Sequence, residues 1–109
     1  MRTATILFST IFILFMASGC EKEEAQIWAY YDETSCSDPW QKGTNNFITQ
    51  GNVVTYLDQH GIRIQSIKIT EDGVSQTCGD CKCTTGRRIK VHISENDALK
   101  ISDVGFHVN

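Results

Sequence analysis

One proline, Pro39, in 109 residues rules out a proline-rich linker or a collagen-like repeat. Long apolar runs are missing as well. The longest, Ile6 to Met16, is interrupted by Ser9 and Thr10 and falls well short of the roughly 20 residues a membrane-spanning helix needs. Charge of one sign is scarce: ten Lys and Arg against thirteen Asp and Glu leave a net charge of −3, so no nucleic-acid partner is expected. No glycine-rich phosphate loop, Ser/His/Asp set or pair of catalytic carboxylates can be argued from the spacing. These absences lead to the expectation that the chain is not an enzyme and carries no cofactor.

The N-terminal segment gives an address. Arg2 precedes the short apolar run, which closes on Ala17-Ser18-Gly19-Cys20. A run of this length ending in small residues reads as a secretory signal. It resembles the signal of bacterial lipoproteins, with Ala17 where such signals usually carry Leu. The resemblance implies that Cys20 is acylated, becomes the first mature residue and ties the protein to a membrane. Cys20-Glu21-Lys22-Glu23-Glu24 is also similar to the Lys-acid-acid export signal of surface lipoproteins in Bacteroidota, which implies an outer-membrane, surface-exposed location. The expected organisation is a signal peptide over 1–19, an acylated Cys and acidic tether over 20–26, and a single small domain over 27–109.

A domain this small buries only about 60% of its unfolded surface and needs further support. Cysteine supplies it. Of five cysteines, setting aside Cys20 leaves Cys36, Cys78, Cys81 and Cys83, an even number in a short exported domain and hence an expected disulfide framework. Gly79-Asp80 can form a turn that brings Cys78 to Cys81, so Cys78–Cys81 with Cys36–Cys83 is the favoured pairing. Cys36–Cys81 with Cys78–Cys83 is the second. The alternative chemistry is a metal site built from the same four thiolates. Cys78 and Cys81 have zinc-knuckle spacing, but Cys36 stands alone, and Cys81 and Cys83 are close enough to suit a soft thiolate cluster. A thiol–disulfide redox role is weaker, because a polar loop and then a strand flank the Cys-x-x-Cys where a helix start is needed.

The remaining sequence alternates strand and helix signals. Ile27 to Tyr31 reads as a strand and Asp32 to Thr44 as a loop. Asn45 to His60 reads as a helix, with Phe47, Val54 and Leu57 on its apolar face, Val53 beside it, and Gly61 as its left-handed stop. Ile62 to Thr70 is a strand whose alternation slips by one, which predicts a bulge near Gln65-Ser66. After a long loop from Glu71 to Gly86, Arg88 to Ile93 alternates cleanly. Ser94 then caps a last short helix that ends before Gly105, with Phe106 packing back. The expected fold is α+β: a two-layer β-α-β-β-α domain with a three-stranded mixed sheet, parallel in its first two strands, and both helices on one face.

Candidate binding residues follow from this layout. Arg63, Lys68, Arg88, Lys90 and His92 are expected to project from the uncovered sheet face as a basic stripe able to meet anionic groups. Trp28, Tyr30, Tyr31 and Trp40 concentrate aromatic rings near the start of the domain, and Trp40, beside Cys36, is the one expected to be partly exposed. The functional expectation is a membrane-tethered envelope lipoprotein that binds an envelope protein or a glycan. Its oligomeric state stays open.

Overall fold

The computed structural model describes residues 25–108; the expected signal peptide, Cys20 and residues 21–24 of the expected tether lie outside them, whereas Gln26, also expected in the tether, already pairs with Ser94 as the first residue of the sheet. Strand β1 (Gln26–Thr34) leads through a loop to helix α1 (Asn46–Gln59) and strand β2 (Ile64–Thr70). Strand β3 (Thr84–Ser94) follows, then a 3-10 turn (Glu95–Asp97), helix α2 (Ala98–Asp103) and a two-residue strand β4 (His107–Val108). The sheet order is β2-β3-β1-β4, and every neighbouring pair is antiparallel.

The domain is therefore α+β with two helices, but the sheet has four strands where three were expected, and it is antiparallel where a mixed sheet was expected. β1 and β2 do point the same way, as a strand-helix-strand crossover favours. They are not neighbours. The crossover leaves a gap one strand wide, and β3, the longest and most regularly alternating strand, fills it by pairing with both. β4 was not anticipated because two residues carry no periodicity; it adds to the free edge of β1 at Ala29 and Tyr30.

Alternation fixes which side of the sheet is buried. Ala29 from β1 and Ile89, Val91 and Ile93 from β3 face the helices, where Val53 and Leu57 of α1, Ile101 of α2, Ile62 and Phe106 complete the core. Burial of apolar side chains at this density is the main term holding so small a domain together. The bulge in β2 lies where the isoleucine spacing places it: Ile64 faces Ile93, the next pair is Ser66 with His92, and Gln65 is the extra residue. It keeps Ile64, Ile67 and Ile69 packed against the core.

The local stops behave as their residues dictate. Asn45 caps α1, its side chain accepting from the Ile48 amide at 2.9 Å. Gly61 and Gly105 take φ of 74° and 98° after the two helices, a region L side chains avoid. One assignment changes: α1 buries Thr49, Val53 and Leu57, whereas Phe47 is 82% exposed and Val54 faces solvent. The buried stripe is Thr49, Val53 and Leu57, spaced four apart, and the Thr49 hydroxyl is satisfied in it by accepting from the Gly43 amide at 2.9 Å.

The cysteines pair as Cys36–Cys81 and Cys78–Cys83, which replaces the favoured pairing with the second one. Backbone pairing decides it. β1 and β3 continue past their ends, with the Ser35 amide donating to the Cys83 carbonyl and the Cys36 amide to the Cys81 carbonyl. That ladder sets Cys36 beside Cys81, with Cα atoms 4.5 Å apart, and leaves Cys83 for Cys78.

Candidate functional site

Among the described residues no helix covers the second face of the sheet, and alternation places there the residues that do not belong to the core. β1 contributes Trp28, Tyr30 and Asp32; β3 contributes His92, Lys90 and Arg88; β2 contributes Ser66, Lys68 and Thr70. The pairing aligns them in rows: Trp28–His92–Ser66, Tyr30–Lys90–Lys68 and Asp32–Arg88–Thr70. Four of the five expected basic residues are thus brought together. Arg63 is not among them, since it lies before the first residue of β2, exposed in the turn.

The rows differ in character along the strands. In the far row the Arg88 guanidinium donates to Asp32 at 2.8 Å and lies over the Tyr30 ring at 4.5 Å. The Asp32 carboxylate raises the pKa of Arg88, so this cation stays charged. Lys90 meets Asp72 at 2.6 Å, and Thr70 adds a second hydrogen bond to that carboxylate. Together they hold the Asp72 pKa down at about 2, with the Lys90 hydrogen bond the larger cause.

The near row is built around Trp28. The His92 ring stacks on it at 4.7 Å with the planes 14° apart, and the Lys68 ammonium stands 4.8 Å from the indole centre. Among the described residues Lys68 is in no ion pair. An open cavity of about 430 Å³ lies at this corner, lined by Gln26, Ile27, Trp28, Ala29, Lys68 and Lys90. It combines an aromatic surface, one cation without a carboxylate partner and one that is shared, which suits a ligand carrying negative charge on a partly apolar body.

Trp40 lies on the other side of the sheet. It is only 7% exposed and packs edge-on against Tyr31 at 4.7 Å and Tyr56 at 5.6 Å, so it anchors the core and leaves the surface role to Trp28. Tyr31 shares that interior: burial and then the negative charge of Asp38 raise its pKa well above the ordinary tyrosine value. Glu33, 1% exposed at the end of β1, accepts from the Thr85 hydroxyl at 3.0 Å and stands 3.6 Å from Arg87 and 3.7 Å from Lys42.

No protein-family model, curated protein or solved structure matches the chain. The functional reading rests on the residues themselves. Trp28 and Tyr30 belong with the basic stripe, a link that strand parity in Trp28-Ala29-Tyr30-Tyr31-Asp32 already carried, because alternate residues share a face. The four cysteines divide into two separate pairs, and no group of three or more metal-ligating side chains occurs among the described residues.

Proposed function

We propose that this is an outer-membrane lipoprotein, anchored through an acylated Cys20 and surface-exposed, whose domain works by binding and not by catalysis. The open sheet face is the binding surface and an anionic glycan its ligand class. The observation that carries the reading is the Trp28 corner, where an indole, the Lys68 ammonium and the shared Lys90 border one cavity. Cation pairs with a sugar carboxylate or sulfate are screened by salt, so such binding weakens as ionic strength rises.

Retention of the lipidated full-length chain on immobilised polygalacturonate, an acidic polysaccharide, tests this. Binding is expected at low salt, with Lys68→Glu and Trp28→Ala each weakening it at least tenfold and Arg63→Glu leaving it within twofold. Equal loss in all three variants, or salt-independent retention, overturns the assignment of the face. Metabolic labelling with a palmitate analogue tests the anchor: label is expected on the wild type and absent from Cys20→Ala.

A further inference from the structure

The opposite side of the domain poses a different problem. From Thr44 to Leu57 the chain carries no Asp, Glu, Lys or Arg, although α1 spans most of that stretch on the surface. Surface helices ordinarily spread charge over the solvent side. Here that side presents Phe47 at 82% exposure, Ile48 at 43% and Val54 at 38%. Gly51 lies between them, and a Cβ built there meets nothing within 4 Å. The result is a knob and a notch one helical turn apart on a neutral apolar stripe.

We infer that this stripe joins two copies of the chain, the α1 helices crossing at Gly51. The stripe complements itself. A glycine at a helix crossing lets two backbones approach closely, and the Phe47 and Ile48 side chains then pack beside it on one turn and Val54 on the next. Absence of charge fits a partner surface that is equally neutral, as a second copy is by construction. It fits a lipid surface poorly, because helices that lie in a membrane interface flank their apolar side with Lys and Arg.

The anchor, if the proposed lipoprotein reading holds, fixes the sense of the crossing. Cys20 precedes Gln26 by six residues, a reach of at most roughly 20 Å. Both copies must therefore send the Gln26 end of β1 toward the same bilayer. The Arg87 guanidinium donates to Asn46 and faces Glu33, so α1 begins at the far end of the sheet and runs back toward the tether. Two such helices on one membrane run parallel, about a two-fold axis normal to the bilayer. Asp58, exposed one turn past Val54, requires them to diverge below the crossing. Anchorage also confines the copies to one plane, which raises their effective concentration.

Photo-crosslinking of the full-length chain in cells tests the contact, with p-benzoylphenylalanine at Val54 and, as control, at Gln65 on β2. A band of doubled mass containing two differently tagged copies is expected from position 54 and not from position 65. Gly51→Leu and Phe47→Glu are each expected to abolish the band and to weaken dimerisation in detergent at least tenfold by sedimentation. Compared at a concentration where both are monomeric, Gly51→Leu is expected to keep or raise the melting temperature, so loss of the dimer cannot be ascribed to unfolding. A cross-link to lipid or to a different protein, or a dimer indifferent to both substitutions, overturns the inference. Palmitate label without a doubled band overturns the contact alone; a doubled band without label supports the contact and overturns the lipoprotein reading.

Discussion

Glu33 is buried while Lys42 and Arg87 keep part of their side chains in water, so the members of this cluster are not interchangeable. Removing Arg87 leaves the buried carboxylate with only Lys42 at 3.7 Å and the Thr85 hydroxyl, both on its other oxygen, whereas neutralising Glu33 leaves cations that can rehydrate. Arg87→Met is therefore expected to cost about 1–2 kcal/mol in urea unfolding, and Glu33→Gln distinctly less. The sequence shows Glu33 only as an acid at the start of a loop; its burial depends on Thr85 and Arg87, residues far along the chain. Asp72 makes the opposite case at the surface. Its folded pKa of about 2 lies below the ordinary carboxylate value, so its small contribution to stability is present above pH 4 and fades as pH falls toward 2. An NMR titration is expected to place its midpoint at about 2, and Lys90→Met to return it toward about 3.9.

At the scale of elements, α1 shows which signals a sequence carries plainly. Its limits are legible because caps are local: Asn45 bonds within its own turn and Gly61 needs only its own φ. Asn45→Ala is expected to cost about 1 kcal/mol and Gly51→Ala to add up to about 1 kcal/mol to the thermal stability of the folded chain. The rotation of the helix was not legible in the same way. Phe47 looks like core by composition, but the buried line runs through Val53 and Leu57 to Thr49, a polar residue whose burial depends on its hydrogen bond with Gly43 across the preceding loop. The bulge in β2 could be read because four isoleucines record the slip in their own spacing. The partner of each strand could not, since adjacency is decided by which strand fills the gap left by the crossover.

For the whole molecule, the two disulfides act over very different lengths of chain, 45 and 5 residues. Loop-closure entropy then assigns about 4 kcal/mol to Cys36–Cys81 and about 2 kcal/mol to Cys78–Cys83. Paired serine substitutions are expected to lower urea stability in that order, and a non-reducing peptide map to recover the same two pairs. The long bridge also gives the domain a mechanical axis. β1 begins at Gln26, is flanked by β3 and β4, and ends two residues before Cys36. If the chain is anchored through Cys20 and binds through the sheet as proposed, a pull on that anchor would load the bonds between β1 and β3 in shear, all at once. Should they slip, Cys36–Cys81 stops the strand from being drawn out of the fold. A domain pulled through its first residues thus resists as a clasp and not as a zipper.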